Sequence, residues 1–525
     1  MSRCVSVVLL GCLLLGCQPR PSSNRDPGEQ PPNVVFILAD DLGYHDLGFT
    51  GSTYYETPNL DRLAASSVVF DQAYAGSRVC SPSRASIMLG QFTATHGITD
   101  WIGAPAEEEW RRYNRFTSHL PPQYNRVLPD SALTLAEAFQ QNGYRTFFAG
   151  KWHLGGAGSM PTDHGFDVNV GGNDKGSPVG GYFDPYDNRD LPNRLPGENL
   201  SRRLARETKE FIFGEPGPFF AFLSFYAVHG PIQTTEEDWR YFRNKAVEGG
   251  NAQSAFSMER RLPIRTEQDN PVYAGLVRQM DDAVGIVLDA LDSLGIADNT
   301  IVVFTSDNGG VASGDAYATS NLPLRGGKGY QWEGGIREPL FLRVGDRIPH
   351  QTISEAVIGA DLYPTLVSLS GLDVEPPQII DGKNLMPLLR DDDWPERALI
   401  WHYPHYGNQG GDPSSVIRRG DWKLIHYWED GHDELYRLGG GAQEKADLAN
   451  DQPDRVEELR TELLTFLEDR GAAYPRPDPE FDLALFRQKE IFYRDTLLPR
   501  LENQRREMFR EDWSPNADWW GSRPE

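Results

Sequence analysis

Cysteine is scarce in this sequence, with four residues among 525. Three of them, Cys4, Cys12 and Cys17, lie within the first 17 residues, and the fourth is Cys80. A disulfide framework needs paired cysteines distributed over the fold. The body of the protein therefore depends on a hydrophobic core, which a chain of this length can bury without covalent cross-links.

Positive charge is also in short supply, because 51 Lys and Arg face 76 Asp and Glu, for a formal net charge of −25. Nucleic-acid-binding proteins neutralise phosphates with surplus Lys and Arg, so this balance argues against a nucleic-acid partner. Hydrophobic residues make up 39% of the chain and aromatic residues 11%, which fits a globular protein and argues against disorder. At about 150 residues per domain, the length predicts two or three domains.

Long apolar runs are confined to the N-terminus, where residues 1–17 read MSRCVSVVLLGCLLLGC. One Arg precedes about a dozen apolar residues, a length typical of a signal peptide and too short to span a bilayer. The run ends in LLGC, which resembles the lipobox of bacterial lipoproteins and makes Cys17 the expected lipid-bearing residue. The LLGC at residues 9–12 is a weaker second match, and an ordinary cleaved signal is the alternative.

Residues 18–32 are rich in Pro and polar residues and predict a flexible tether. We therefore expect an exported protein that is lipid-anchored to the bacterial cell envelope, in the periplasm or at the cell surface. No other stretch approaches 18 continuous apolar residues, so membrane contact is expected through the anchor only.

Residues 33–394 alternate predicted strands with predicted helices. Short runs rich in β-branched and aromatic residues predict buried strands at 33–39, 145–149, 219–228 and 300–305. Apolar residues at helical spacing predict helices at 59–66, 133–142 and 272–294. The alternation predicts an α/β fold with a large, mixed, mostly parallel sheet and helices on both faces.

The pattern changes near residue 395. Four short runs predict antiparallel strands at 398–403, 414–418, 421–428 and 433–438, and a helix follows at 454–469. Residues 395–479 are therefore predicted to form a smaller α+β subdomain. Residues 480–525 are charged and aromatic and predict an extension that is helical in part.

Polar clusters follow all four strands predicted in the body. They are Asp40-Asp41, residues 150–153 (GKWH), residues 229–231 (HGP) and residues 307–309 (DNG). A single Asp after a strand is often a turn residue or a helix cap. In open α/β sheets, however, ligands bind beyond the carboxyl ends of the strands, so four clusters predict one shared site.

Asp40, Asp41, Asp307 and Asn308 offer carboxylate and amide oxygens without an accompanying pair of His residues. Such a donor set suits a hard cation, calcium or magnesium, and not zinc. Adjacent aspartates repel each other unless a cation neutralises them. Capping and turn formation would explain either pair alone.

The segment at residues 80–84 reads CSPSR. Pro82 and Ser83 suit the first turn of a helix, which would place Cys80 at the positive end of that helix, with Arg84 one turn away. The functional interpretation of Cys80 is a nucleophile that faces an anion. The alternative is a small buried hydrophobic side chain.

This segment resembles the C-x-P-S-R signature of the type I sulfatases, a branch of the alkaline-phosphatase-like superfamily. The similarity continues in the DDLG at residues 40–43 and in six further motifs. They are TPNLDRLA at 57–64, GKWHLG at 150–155, HGFD at 164–167, SDNG at 306–309, and GGK at 326–328 followed by EGGIREP at 333–339. The matches extend over roughly residues 33–470 and imply an alkaline-phosphatase-like fold and sulfate ester hydrolysis.

In that family the signature cysteine is oxidised to formylglycine (3-oxoalanine) by a maturation enzyme. The resemblance implies this change at Cys80 and a partner that is a formylglycine-generating enzyme. It further implies one calcium ion bound by Asp40, Asp41, Asp307 and Asn308, with the modified Cys80 as an additional ligand. The hydrated aldehyde would attack sulfur, form a sulfated enzyme and then expel sulfate, which is covalent catalysis in two displacements.

The resemblance also assigns the remaining site residues. Arg84 would make the nucleophilic oxygen more reactive, together with the cation. Charge moves to the bridging oxygen as the ester bond breaks, so fixed cations should surround the sulfate group. Lys151 and Lys328 would supply these cations and bind the sulfate oxygens. His153 would serve as the base in the second displacement, and His229 as the general acid for the leaving oxygen.

The expected substrate is a sulfated carbohydrate. Aromatic-rich segments that include Trp101, Trp152 and residues 402–408 could stack against sugar rings, although packing is the better interpretation of each one alone. Two other functions stay open. One is a phosphonate monoester or phosphodiester hydrolase with the same signature, and the other is a glycan-binding pseudoenzyme, which would have lost a catalytic position.

Overall fold

The computed structural model describes residues 30–113, 115–250, 252–345, 347–439 and 444–516. The predicted signal segment, Cys17 and the first part of the predicted tether lie outside these residues. Within the described part of the chain, no helix is both long and apolar enough to cross a membrane.

The strands are numbered in chain order. They are β1 Asn33–Ala39, β2 Val68–Phe70, β3 Ala73–Tyr74, β4 His119–Leu120, β5 Arg145–Gly150, β6 Val168–Val170, β7 Phe219–Ser224, β8 Phe256–Glu259, β9 Leu262–Arg265, β10 Thr300–Ser306, β11 Leu340–Val344, β12 Gln351–Ile353, β13 Val357–Ile358, β14 Ala398–Tyr403, β15 Ser414–Arg419, β16 Trp422–Tyr427, β17 Asp433–Arg437 and β18 Arg476–Pro477.

The α-helices follow the same convention. They are α1 Pro58–Ala65, α2 Cys80–Leu89, α3 Thr93–His96, α4 Leu135–Gln141, α5 Leu200–Gly214, α6 Glu236–Glu248, α7 Pro271–Leu294, α8 Glu333–Ile336, α9 Leu362–Leu369, α10 Met386–Leu389, α11 Pro453–Asp469, α12 Leu483–Phe492 and α13 Leu498–Met508. The helices predicted from apolar spacing correspond to α1, α4, α7 and α11.

Eight strands form the main sheet, in the order β12-β2-β11-β10-β1-β7-β5-β6. Strand β11 runs antiparallel to β10 and β2, and the other neighbouring pairs are parallel. The predicted large, mixed, mostly parallel sheet is therefore confirmed. Strand β1 is buried along its whole length, as expected for a central parallel strand covered on both faces.

Each face of the main sheet packs on its own set of helices. Successive side chains of a strand point to opposite faces, so Val35 and Ile37 join one core cluster while Val34 and Phe36 join the other. The first cluster includes apolar residues of α1, α5, α6 and α7, and the second those of α2, α4 and α9. The helices thus cover both faces, as predicted.

The C-terminal part holds a second sheet, the antiparallel series β14-β15-β16-β17. Helix α11 packs against it through Val456, Leu459, Leu463 and Leu467 in a third core cluster. The four predicted strands and the predicted helix are all present.

One strand prediction was too long. The apolar run 219–228 leaves the sheet after Ser224, although Ala227 and Val228 remain buried. The backbone there pairs with the turn after β1, where Asp40 N donates to Ala227 O at 2.9 Å and Val228 N donates to Asp40 O at 2.6 Å. An apolar run signals burial, and it does not distinguish a strand from a buried connection.

The described part of the C-terminal extension is largely helical, as predicted. Helix α12 continues through a π-helical turn, Tyr493–Leu497, into α13. The extension is fixed to the main domain by buried Arg505, whose Nη2 lies 2.5 Å from Asp269 Oδ2. At its start, Glu480 accepts a hydrogen bond from Arg111 Nη1 at 3.0 Å.

Candidate active site

The four strands that precede the polar clusters are neighbours in the sheet, in the order β10-β1-β7-β5. They are parallel to one another, so their carboxyl ends lie at the same edge. The predicted shared location of the four clusters is therefore confirmed.

Asp40 and Asp41 form the centre of this edge. Both are buried, and Asp41 adopts a φ of 65°, which turns the chain sharply after β1. Its backbone N–H donates to Asp307 Oδ1 at 3.1 Å, and its Oδ1 accepts a hydrogen bond from Asn308 Nδ2 at 2.9 Å. These contacts bind the ends of β1 and β10 to each other.

Cys80 is the first residue of α2, as predicted from the Pro-Ser pair that follows it. Its Sγ lies 3.9 Å from Asp41 Oδ1. One donor atom each from Cys80, Asp40, Asp41 and Asp307 lie within 4.8 Å of one another, and all four residues are buried. The N-terminal end of α2, which carries partial positive charge, faces the carboxylate cluster and places the Cys80 sulfur beside it.

Arg84 extends from the next turn of α2 towards the same cluster. Its Nε donates to Asp307 Oδ2 at 2.8 Å, and its Nη1 donates to Lys151 O and Ser224 Oγ at 2.7 Å each. Ser224 was not predicted as a site residue, because the strand that it ends was expected to continue to residue 228. The signal that could have indicated Ser224 was its polar side chain within an otherwise apolar run.

The two candidate sulfate-binding lysines are buried and contact the carboxylates. Lys151 Nζ lies 2.7 Å from Asp40 Oδ2, and Lys328 Nζ lies 2.7 Å from Asp41 Oδ1. Burial disfavours a charged ammonium, yet the carboxylate of Asp41 holds the pKa of Lys328 well above its usual range.

His153 occupies a backbone conformation with a φ of 56°, uncommon for a residue with a side chain. Its Nε2 lies 3.1 Å from Ile102 O, which fixes Nε2 as the protonated nitrogen. Its Nδ1 is buried and has no hydrogen-bond partner within the described residues. Burial and the charge of Lys151 lower the pKa of this His well below its usual range, so the ring is neutral with an accepting Nδ1.

Gly176 lies against the His153 ring. A Cβ at this position would lie 2.4 Å from His153 Cε1, so only glycine leaves room for the imidazole. Its role was not predicted, since an isolated glycine carries no such signal in the sequence.

His229 reaches the site from the loop after β7. Its Nδ1 lies 2.6 Å from Gly230 O and is therefore the protonated nitrogen, and its Nε2 lies 3.7 Å from Asp41 Oδ2. Burial, together with the nearby charge of Lys328, lowers the pKa of His229 to about 3.

The carboxylates differ in their affinity for protons. Burial and the neighbouring Asp307 raise the pKa of Asp40 well above its usual range. Burial also favours the neutral forms of Asp41 and Asp307. The adjacent cations outweigh this effect, so Lys328 lowers the pKa of Asp41 and Arg84 lowers the pKa of Asp307. Burial raises the pKa of the Cys80 thiol to about 12, so the unmodified side chain is a neutral thiol.

A cavity of about 440 Å³ opens above Cys80 and is also lined by His153, His229 and Lys328. Trp101 and Asn408 line it as well, whereas Trp152 is buried in the core. Within residues 402–408, His402, Tyr403 and His405 are buried, so packing describes these three. The cavity also contains Asp315, Gln409 and Lys175, which no sequence motif indicated.

The donor set fits a hard cation. Three carboxylates surround the Cys80 sulfur, and Asn308 directs its Nδ2 towards Asp41 and Gly309. That orientation leaves Asn308 Oδ1 buried without a hydrogen-bond partner among the described residues. A buried, unpartnered amide oxygen beside three carboxylates is the arrangement that a calcium ion would complete.

Comparison with known proteins identifies the family. The sulfatase family model matches residues 32–372, and a model described as N-sulphoglucosamine sulphohydrolase, C-terminal, matches residues 327–471. The chain belongs to the sulfatase family. N-acetylgalactosamine-6-sulfatase of Mus musculus is 32% identical to this sulfatase over 426 residues, which cover 76% of this chain and 72% of the mouse protein.

Further relatives agree with this assignment. A sulfatase of Formosa agariphila is 29% identical and matches 87% of this chain and 91% of its own length. The solved structure of Ps i-CgsB in complex with k-i-k-neocarrahexaose superposes with a TM-score of 0.67 and 26% identity, covering 89% of this sulfatase and all of that chain. The protein is thus a sulfuric ester hydrolase with the alkaline-phosphatase-like fold that the sequence predicted.

Proposed function

We propose that this sulfatase hydrolyses the sulfate esters of a sulfated carbohydrate, with a formylglycine made from Cys80 as the nucleophile and a calcium ion held at the carboxylate cluster. One observation carries the proposal. Cys80 lines the 440 Å³ cavity and lies within 4.8 Å of donor atoms from three buried aspartates.

The charges of the site support the presence of a divalent cation. Three carboxylates, Asp40, Asp41 and Asp307, are formally balanced by the three cations that contact them, which are Arg84, Lys151 and Lys328. Cations that are paired with carboxylates in this way offer a sulfate ester less attraction than unpaired cations would. Calcium bound by Asp40, Asp41, Asp307, Asn308 and the modified residue 80 would supply two positive charges where the anion binds.

The protonation of Cys80 supports its conversion. A thiol whose pKa is raised to about 12 carries almost no thiolate near neutral pH, and the thiolate is the reactive form of cysteine. Formylglycine would supply a hydrated aldehyde oxygen as the nucleophile in its place. Conversion by a formylglycine-generating enzyme therefore gives this position a reactivity that the buried thiol lacks.

The chain's own residues would then position the ester and move protons. Lys151 and Lys328, buried beside the cluster, would bind the sulfate oxygens and stabilise the charge that develops as the ester bond breaks. His153 is neutral with an accepting Nδ1, so it can take the proton of a residue-80 hydroxyl. The narrow space between Ile102 and Gly176 holds the ring in this orientation.

His229 would protonate the leaving oxygen through Nε2, because Nδ1 is committed to Gly230 O. A pKa of about 3 makes the ring neutral at pH 7, and the negative charge of a bound ester would stabilise the added proton. We expect His229→Ala to slow hydrolysis of alkyl sulfates far more than that of 4-nitrophenyl sulfate, whose leaving group needs no proton. Equal losses on both would rule out this role.

Relatives support a carbohydrate substrate. The mouse relative is named for 6-sulfated N-acetylgalactosamine, and the solved structure of Ps i-CgsB contains k-i-k-neocarrahexaose. The predicted export and lipid anchor are consistent with a substrate outside the cell. We therefore place the substrate of this protein among the sulfated glycans.

The test is a screen of sulfated mono- and oligosaccharides with released sulfate as the readout, with matched phosphate esters as controls. The protein should be made together with a formylglycine-generating enzyme, and Cys80→Ala serves as the inactive control. We expect sulfate release from at least one sulfated sugar. A large preference for phosphate or phosphonate esters would contradict the proposal, and saccharide binding without turnover would indicate a pseudoenzyme.

A further inference from the structure

The catalytic cavity is lined by one carboxylate that sulfate ester hydrolysis does not require. Asp315 lines this cavity together with Cys80 and Lys328. The residue is half-buried, and its carboxylate forms no ion pair within the part of the chain that the structure describes. It accepts one side-chain hydrogen bond, from Gln409 Nε2. Since a carboxylate has about four lone-pair positions, most of its capacity to accept hydrogen bonds is not used by these residues.

The charges around Asp315 come from the catalytic centre. Burial raises the pKa of Asp315, the charge of Lys328 opposes this shift, and the charge of Asp41 adds to it. Lys328 and Asp41 contact each other at the carboxylate cluster. Asp315 also borders a second cavity, which helix α13 lines through Leu501 and Gln504. The charged residues that affect Asp315 most lie on the catalytic side, so its carboxylate lies close to the site where the ester binds.

Two loops hold Asp315 in place. Gln409, in the loop after β14, is buried and donates to Asp315 Oδ2. A Cβ at Gly314 would lie 2.7 Å from Gln409 Cα, so the turn that carries Asp315 packs directly on that loop. A Cβ at Gly329 would lie 2.9 Å from Gln409 Oε1, so Gln409 also packs beside the residue that follows Lys328. Asp315 and the candidate sulfate-binding Lys328 are therefore held in fixed relation.

The chemistry of a carboxylate at this wall favours a neutral ligand group that donates hydrogen bonds. A second sulfate group would be repelled, because like charges destabilise each other. Hydroxyl groups donate to a carboxylate, and such charge-assisted hydrogen bonds are roughly twice as strong as neutral ones. A sugar ring that carries one sulfate ester has hydroxyls beside it. Burial makes the charged form of Asp315 costly, and hydrogen bonds from these hydroxyls would offset that cost.

We propose that Asp315 determines specificity by accepting a hydrogen bond from a hydroxyl of the sugar ring that carries the ester. The negative charge of Asp315 also excludes a ring that bears a second sulfate at the position of this hydroxyl. The inference rests on the proposed hydrolysis of sulfated glycans, and it adds to that function a preference for monosulfated over disulfated rings.

The test compares Asp315→Asn with Asp174→Asn, both made with a formylglycine-generating enzyme. Asn at position 315 removes the charge and keeps an oxygen that can accept from Gln409. Asp174 is the matched control, because it lines the same cavity but is balanced by Lys175 at 3.1 Å and Arg189 at 3.0 Å.

The substrates are the monosulfates of galactose, N-acetylgalactosamine and N-acetylglucosamine, together with disulfates of the same sugars. For each variant, kcat/KM for a sugar is divided by kcat/KM for 4-nitrophenyl sulfate. This reference ester shares the sulfate group and has no hydroxyl, so the ratio cancels the effect of the changed charge on sulfate binding itself.

We expect Asp315→Asn to lower the ratio for the preferred monosulfate about fivefold or more, because a charge-assisted hydrogen bond becomes a neutral one. The same variant should raise the ratio for at least one disulfate, because the repulsion is removed. Opposite changes for the two kinds of substrate cannot result from a general loss of structure. Asp174→Asn should leave both ratios near those of the wild type. Unchanged ratios for Asp315→Asn, or equal changes in both variants, overturn the proposal.

A binding measurement separates this role from hydrolysis. If no ester releases sulfate, the hydrolytic proposal fails by itself. Calorimetry in the Cys80→Ala background then compares binding of the same sugars with that of inorganic sulfate, which also lacks a hydroxyl. Weaker relative binding of a monosulfate after Asp315→Asn, but not after Asp174→Asn, supports the role of Asp315. Equal relative binding, or no binding of any sugar, overturns it.

Discussion

Arg84 Nε lies 2.8 Å from Asp307 Oδ2, and the two side chains are only 3% and 0% exposed. This ion pair joins the first turns of α2, which begins at Cys80, to the end of β10, which carries a proposed metal ligand. The nucleophile and the cation site are thereby held in fixed relation. The residue that pairs with a proposed metal ligand also contributes to the stability of the fold around the site.

Removing Arg84 should therefore destabilise the protein. Arg84→Ala leaves Asp307 buried without its cation, a change that typically costs about 3–5 kcal/mol. Arg62→Ala is the matched control, because Arg62 pairs with Asp289 at 2.9 Å on the surface, where both side chains are at least half exposed, and such pairs contribute at most about 1 kcal/mol. Urea unfolding measures both, and equal losses would contradict a structural role for the buried pair.

Calcium should stabilise the folded protein through Asn308. A ligand that binds only the native state adds about 2.7 kcal/mol at one hundred times its dissociation constant, so the melting temperature of the wild type should rise with calcium concentration. Asn308→Ala removes the unpartnered amide oxygen without changing the charge, and should need more calcium for the same rise.

The control for this experiment is Asn503→Ala, at an exposed position on α13. It should respond to calcium as the wild type does. If calcium does not raise the melting temperature of the wild type, the site at this position loses its support. The same holds if Asn308→Ala responds to calcium as the wild type does. Magnesium titrated in parallel distinguishes the two hard cations.

Asp100 should make stability depend on pH. Burial raises its pKa to about 7, with the nearby hydroxyl of Tyr403 opposing part of the shift. The folded state then binds a proton that the unfolded state, with a carboxyl pKa of about 3.9, has already released, so stability falls as pH rises from about 4 to 7. The protonated carboxyl faces His405 Nδ1 at 3.7 Å, a buried nitrogen with no hydrogen-bond partner among the described residues.

Asp100→Asn should reduce this dependence, because an amide can donate towards His405 at every pH and still accept from Tyr403. The stability of the variant relative to that of the wild type should be greatest at pH 8. Asp298→Asn, at an exposed position, is the control. Parallel stability curves for the wild type and Asp100→Asn between pH 4 and 8 would show that this carboxyl does not titrate as inferred.

The sequence predicted the parts of the site that depend on local patterns. The strand at residues 33–39 ends in paired aspartates, and the CSPSR segment begins a helix, so the positions of Asp40, Asp41 and Cys80 followed from strand and helix signals. The parallel order β10-β1-β7-β5 then brought the four polar clusters to one edge. The catalytic roles themselves came from family resemblance and stay predictions.

Other parts of the site depend on contacts between distant segments, which leave no local pattern. Ser224 accepts a hydrogen bond from Arg84 across 140 positions, and Gly176 matters only because the His153 ring lies against it. The C-terminal extension is similar in this respect. Its composition predicted helix, but its position beside the catalytic cavity results from tertiary contacts such as that between Arg505 and Asp269.

The most direct measurement is the mass of the peptide that contains Cys80, from protein made with and without a formylglycine-generating enzyme. We expect an aldehyde, or its hydrate, at this position when the enzyme is present, with sulfatase activity that rises with the converted fraction. An unmodified thiol in a fully active protein would contradict this expectation, because a thiol with a pKa of about 12 cannot be the proposed nucleophile.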